Sequence, residues 1–256
     1  FALIKKIYHY NYENSNVNWS FFIITYIKVI FTLILQKGII LLVEEVVFNV
    51  STKYINSIRR INMELEIKKL TPDLVEQYLH FFDATPHDTN RDEDKCYCAY
   101  WSSANSSGKD FSNALSRRNI AKQYVQEGHI QGYLAFLNGE IVGWCNTNTK
   151  KNCVNCEGWK YLATFVENED NNLKGKSIFC FVVKPELRRQ KIATKLLMKI
   201  IEDAKQEGYD YLEAYPYVET LGFASDFGGY VSMYQQFGFE IYANIDGKVV
   251  MRKYLK

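Results

Sequence analysis

From residue 63 onward the spacing of apolar and polar positions changes repeatedly, and each change marks an element. MELEIKK alternates, the period of a half-buried strand. Thr71-Pro72-Asp73 reads as a helix start, with a hydroxyl cap, proline at the first helical position and an acid in the first turn. The helix LVEQYLHFF is expected to end near Asp83, before Pro86. SSANSSGKDFS is a loop, and NALSRRNIAKQYVQEG takes helical spacing until Gly128. IQGYLAFLNGEIVGWCN places two strand-like runs around Asn138-Gly139, a strong hairpin signal. SIFCFVV is almost wholly apolar, the pattern of a strand covered on both faces.

A helix from about Arg189 to Gln206 carries Ile192, Leu196, Leu197, Ile200, Ile201 and Ala204 on one face. YDYLEAYP is a strand stopped by Pro216. A loop with Gly222, Gly228 and Gly229 then precedes the short helix YVSMYQQF. FEIYANI and KVVMRKYL flank Asp246-Gly247 as a second hairpin. The resulting order, β-α-α-β-β-β-α-β-α-β-β, describes an α/β fold whose mixed sheet is flanked by helices.

Residues 1–62 break this pattern and are set apart as an ill-defined leader before a domain over 63–256. They are crowded with Ile, Asn, Lys, Tyr, Phe and Val and hold no proline. FFIITYIKVIFTLIL (21–35) and IILLV (39–43) are the membrane candidates. Lys28, Gln36 and Lys37 interrupt them, so no uncharged run reaches the ~20 residues of a spanning helix. An extension or translated upstream sequence is the favoured reading, with a membrane or interfacial anchor or an integral part of the domain as alternatives.

Composition adds limits. With 47% hydrophobic and 23% charged residues, a sizeable core is expected. A net charge of +2 gives no nucleic-acid footprint. Six cysteines without a signal-peptide cleavage pattern fit a reducing, cytoplasmic setting.

Candidate chemistry centres on VVKPELRRQKIATKLL, residues 182–197. A strand running into a helix start gathers unpaired N–H groups under a positive dipole end, which suits phosphate. Arg188, Arg189 and Lys191 add charge there, although a solvated cationic face would show the same residues. The stretch resembles the acetyl-CoA signature of the GNAT superfamily of N-acetyltransferases, V-x-P-x-x-R-x-x-G-x-G/A. Val183, Pro185, Arg188 and Ala193 fall on its fixed positions. YQQFGF (234–239) resembles the family's Y-x-x-x-G-F, and GEIVGW its Gly-Trp hairpin strand. Lys191 stands where the family has glycine; a helical conformation is expected for it, since a left-handed one would strain a lysine by about 1–2 kcal/mol.

The resemblance implies a mostly antiparallel sheet with a splayed strand pair, and acetyl-CoA as co-substrate. Pantetheine would lie along Phe181, Val182 and Val183, and pyrophosphate on Arg188, Arg189, Gln190, Lys191, Ile192, Ala193 and Thr194. It also implies Tyr234 as acid toward the departing thiolate, with the acetyl group passing directly to a small-molecule or peptide amine in a ternary complex. Neither nucleic acid nor a membrane is an expected partner, and a homodimer is compatible with the family.

Glu213 is the favoured general base, because a carboxylate inside an apolar strand would have a raised pKa. An edge-facing or salt-bridged Glu213 is the alternative, with Glu219 and Asp226 as substitutes. CYC (96–98) and CVNC (153–156) could form a four-thiolate zinc site, but reduced cysteines and no metal are expected. Cys145 and Cys180 are read as core residues, and direct transfer needs no acyl-cysteine at Cys180. HFFDATPHD, with His80, Asp83, His87 and Asp88, receives no role. A CoA-binding or ligand-sensing module without turnover is the rival class.

Overall fold

The computed structural model describes residues 65–85, 91, 94–161, 172–216, 227–245 and 248–256. The leader 1–62 lies outside these residues, as do Glu219, Asp226, His87, Asp88, Gly222 and the Asp246-Gly247 turn.

The strands are β1 (Leu65–Lys69), β2 (Gly132–Leu137), β3 (Glu140–Thr149), β4 (Gly175–Val183), β5 (Tyr211–Ala214), β6 (Glu240–Ile245) and β7 (Lys248–Tyr254). The helices are α1 (Val75–Ala84), α2 (Ala114–Gln126), α3 (Ile192–Gln206) and α4 (Val231–Gln235). This is the element order expected from the period changes. The sheet runs β1-β2-β3-β4-β5-β7-β6, antiparallel throughout except for the parallel β4–β5 pair. That pair requires a crossover, and α3 supplies it.

Local signals explain most boundaries. Asn138 (φ 52°) and Gly139 (φ 83°) are both left-handed, as a tight hairpin between β2 and β3 demands. Asn113 caps α2 by accepting the Ser116 N–H. Thr71 departs from expectation: its side chain makes no capping bond, and Pro72–Leu74 form a 3-10 turn ahead of α1. The proline provides a fixed φ there without the hydroxyl's help.

Two large cores and a smaller third cluster cover the sheet. On one face α3 buries Ile192, Leu196, Leu197, Ile200 and Ala204 among Ala135, Cys145, Ile178, Phe181 and Leu212. Each fully buried aliphatic side chain there contributes about 1.5–3 kcal/mol. The other face packs α1 and α2 through Tyr78, Leu79, Phe82 and Tyr124 with Trp144, Cys180 and Val182.

Two features of this sheet position the site. Gly143 on β3 admits Ile192: an added Cβ would stand 2.9 Å from the Ile192 Cγ2. A valine at 143 is therefore expected to destabilise by about 1–3 kcal/mol and loosen the start of α3, seen as a lower midpoint in urea. The second feature is a parting of strands. β4 and β5 pair from Gly175–Tyr211 as far as Ile178–Ala214 and no further. Beyond that point β5 stays with β7, where the Val249 N–H donates to the Pro216 carbonyl at 2.9 Å.

Candidate active site

Past Val183 the chain makes a 3-10 turn at Pro185–Leu187 and a bend over Arg188–Lys191 before α3 begins. Arg188 is extended, with φ −60° and ψ 157°. Arg189 (φ 63°) and Lys191 (φ 65°, ψ 18°) are left-handed. The helical conformation expected for Lys191 is thereby corrected. Lys191 is the cap residue at which the chain turns from β4 into α3, directly before Ile192, which packs against Gly143, so it takes the conformation of the turn and not that of the helix. Lysine bears a strain there that glycine would escape. Lys191→Gly is therefore expected to stabilise the fold by about 1 kcal/mol, checked by urea denaturation.

The bend has a chemical consequence. Left-handed residues on either side of Gln190 turn successive N–H groups into a concave nest suited to anions. The first turn of α3 adds the N–H groups of Ile192, Ala193 and Thr194, and no side chain caps that helix start. Arg188, Arg189, Gln190 and Lys191 are exposed around it. Arg188 Nε donates to the Val183 carbonyl at 3.4 Å, tying the bend to the end of β4, and the Gln190 amide donates to the Glu186 carbonyl.

Alongside the nest, β4 presents an unpaired edge. Among the described residues nothing pairs with Phe179–Val183 on the side from which β5 has parted. The opposite edge is paired to β3, with an irregularity: Asn146 faces Cys180 and Thr147 faces Ile178, leaving Phe179 as an inserted residue. This bulge places Phe179 and Cys180 on one face, away from α3, while Ile178 and Phe181 stay on the α3 face.

Tyr234 on α4 is wholly buried on the α3 face, its ring 6.4 Å from that of Phe181 and 5.2 Å from that of Phe239. Its hydroxyl donates to the Gly228 carbonyl at 2.9 Å. Burial holds the phenol well above its usual pKa of about 10. Tyr234 thus packs against Phe181, within the segment of β4 that has parted from β5.

Glu213 does not join them. Leu212 and Ala214 face α3, so Glu213 faces the opposite side of β5. There it is 1% exposed and fully engaged. Lys150 Nζ lies 2.6 Å from Oε1, and the Tyr215 hydroxyl donates to the same oxygen at 2.8 Å. Arg252 donates to Oε2 through Nε (2.9 Å) and a terminal nitrogen (2.5 Å). The isolated carboxylate expected from an apolar strand is replaced by one held between two buried cations. Its geometry is that of a clamp joining β5, β7 and the turn after β3. Burial disfavours the Arg252 cation, yet Glu213 and the neighbouring tyrosines outweigh it and keep the guanidinium charged.

A sequence profile for the acetyltransferase (GNAT) family matches residues 94–239, more than half of the chain. The chain belongs to that family. Similar solved structures include the PaiA N-acetyltransferase of Thermoplasma acidophilum in complex with coenzyme A. It is 16% identical, covers 75% of this chain and 99% of its own, and has a TM-score of 0.44. An N-acetyltransferase from Staphylococcus aureus has the same values. A GNAT-family acetyltransferase from Streptococcus pneumoniae is also 16% identical, covering 75% of this chain and all of its own, with a TM-score of 0.42. No curated protein matches the chain.

In this acetyltransferase the remaining candidates lie elsewhere. His80 is exposed on α1, and Asp83 pairs with Arg118 at 2.9 Å and accepts from the Tyr97 hydroxyl. Cys98 sits beside Cys180 in the α1–α2 core, whereas Cys153 and Cys156 belong to a separate cluster with Trp159, Phe179 and Tyr215. Among the described residues no group of three or more His, Cys, Asp or Glu is placed to hold a metal, and no helix is long and apolar enough to cross a membrane. Sequence reasoning missed Lys150 and Arg252. Lys150 gave no signal, lying in the polar run NTNTKKN, and Arg252 gave only that of a basic residue following the apolar run VVM in a strand.

Proposed function

We propose that this acetyltransferase uses acetyl-CoA to acetylate a primary amine of a small molecule or peptide, by direct attack in a ternary complex. One observation carries the reading: the edge of Phe179–Val183 left unpaired among the described residues opens at the strand parting and is followed, after one 3-10 turn, by the left-handed nest before α3. Pantetheine, with its two amides, matches a strand edge. The pyrophosphate matches the nest, with Arg188, Arg189, Gln190 and Lys191 around it and Ile192, Ala193 and Thr194 supplying helix N–H groups.

The chemistry then needs a polarised carbonyl, a neutral amine and a proton for the departing thiolate. A backbone N–H of the parted segment of β4 polarises the thioester carbonyl. Tyr234 is the proton donor. Its phenol stays protonated across the physiological range, and a thiolate released into the same apolar surroundings is itself made more basic. Glu213 is better suited to holding β5 and β7 together than to accepting a proton, because both its oxygens already serve cationic donors. The amine loses its proton to water at the acceptor side of the parting.

The full engagement of Glu213 favours a second reading, a module that binds CoA without turnover. Amine-dependent thiol release separates the two. Release that saturates with both acetyl-CoA and amine supports the enzyme, while CoA binding without release across an amine panel supports the module.

A further inference from the structure

The two sulfurs of Cys98 and Cys180 lie 3.0 Å apart in the core, in no disulfide, and the reaction proposed above uses neither. This is inside ordinary sulfur–sulfur contact and about 1 Å longer than a disulfide bond. Cys180 belongs to the bulged segment of β4, and Cys98 to the turn 97–100 that precedes Trp101.

The turn is built at a backbone penalty. Tyr97 and Cys98 are consecutive left-handed residues, each with φ 47°, a conformation that non-glycine residues avoid. Buried contacts hold them there. The Tyr78 hydroxyl donates to the Tyr97 carbonyl at 2.6 Å, the Tyr97 hydroxyl reaches Asp83 at 2.8 Å, and the Trp144 indole N–H donates to the Cys98 sulfur at 3.3 Å. Strain maintained by three side chains, with the outcome that one thiol meets another, points to a use for the meeting. A third sulfur adjoins the pair: the Cys98 N–H donates to Cys96 Sγ at 3.4 Å, and Cys96 is only half-buried.

We propose that Cys98 and Cys180 are a redox pair, that Cys96 is its solvent-side relay, and that a low-molecular-weight disulfide is the oxidant. Cys96 attacks the small disulfide and forms a mixed disulfide, releasing one thiol. Exchange through Cys98 then transfers the sulfur–sulfur bond to Cys98–Cys180, regenerating the Cys96 thiol and releasing the second small thiol. Each exchange forms one S–S bond and breaks one, with the attacking thiol's proton ending on the departing sulfur. Overall, one small disulfide is reduced to two thiols and the protein pair is oxidised by two electrons. Burial disfavours both thiolates, although the contact with Cys98 favours that of Cys180, so direct attack on the pair is slow and the half-buried Cys96 is the point of access. The product braces the Trp101 turn to β4, where Trp101 stacks on Phe179 at 4.8 Å and Phe179 on Tyr215.

The test is incubation of the folded protein with glutathione disulfide, alkylation of remaining thiols in denaturant, and peptide mapping. One linkage, Cys98–Cys180, is expected, with a Tm several degrees above that of the reduced protein and full reversal by dithiothreitol. Cys96→Ser should slow its formation at least tenfold without changing the product, and Cys180→Ser should abolish it. A native protein that keeps both thiols after prolonged incubation, or that links Cys153 to Cys156 instead, overturns the proposal. This outcome is independent of acetyl-CoA binding, so it neither rests on nor decides the functional reading above.

Discussion

Glu213→Ala is expected to destabilise the protein by about 3–5 kcal/mol, enough to unfold a domain of ordinary stability at moderate temperature. Lys150, at 3% exposure, and Arg252, at 7%, would be left in the core without the carboxylate between them. Removing one partner of a buried cluster costs more than the cluster contributes net, because the stranded charges stay desolvated. Glu213→Gln should recover little, since an amide keeps the shape but donates toward two cations. A thermal or urea denaturation comparison with the parent decides it. A general base would behave differently: Glu213→Ala would then fold with parental stability and lose only turnover.

Tyr234→Phe is expected to lower kcat by about 100-fold while leaving the KM for acetyl-CoA nearly unchanged. The substitution removes one oxygen from a wholly buried ring, and its bond to the Gly228 carbonyl has a net worth of about 1 kcal/mol. The fold should therefore survive, so that lost turnover can be read as lost proton donation. Steady-state kinetics with free-thiol detection measures the split. A rise in KM with unchanged kcat would make Tyr234 a packing residue.

Much of this architecture was legible in the chain because its signals are local. Asn138-Gly139 announces the β2–β3 hairpin through two left-handed positions, and the Ile192–Ala204 stripe announces the crossover helix through its period. The element order followed from such signals, as did the family. What remained hidden depends on pairs distant in sequence. Glu213 meets Arg252 and Lys150 only once β5 lies beside β7 and the turn after β3 folds over them. The left-handed conformation of Lys191 was not legible because it belongs to the turn into α3, where the lysine side chain itself favours a different backbone. The Phe179 bulge was equally silent, since an inserted residue in an all-apolar run leaves no break in the pattern.

The central claim is that the parted edge of β4 and the nest before α3 form an acetyl-CoA site. Isothermal titration of acetyl-CoA into the protein tests it directly, alongside the double variant Arg188→Ala with Arg189→Ala. The account predicts micromolar binding by the parent, weakened about 100-fold or more in the double variant, because two charge-assisted contacts to the pyrophosphate are lost. A folded parent that binds no acetyl-CoA, or a double variant that binds as tightly as the parent, would contradict it.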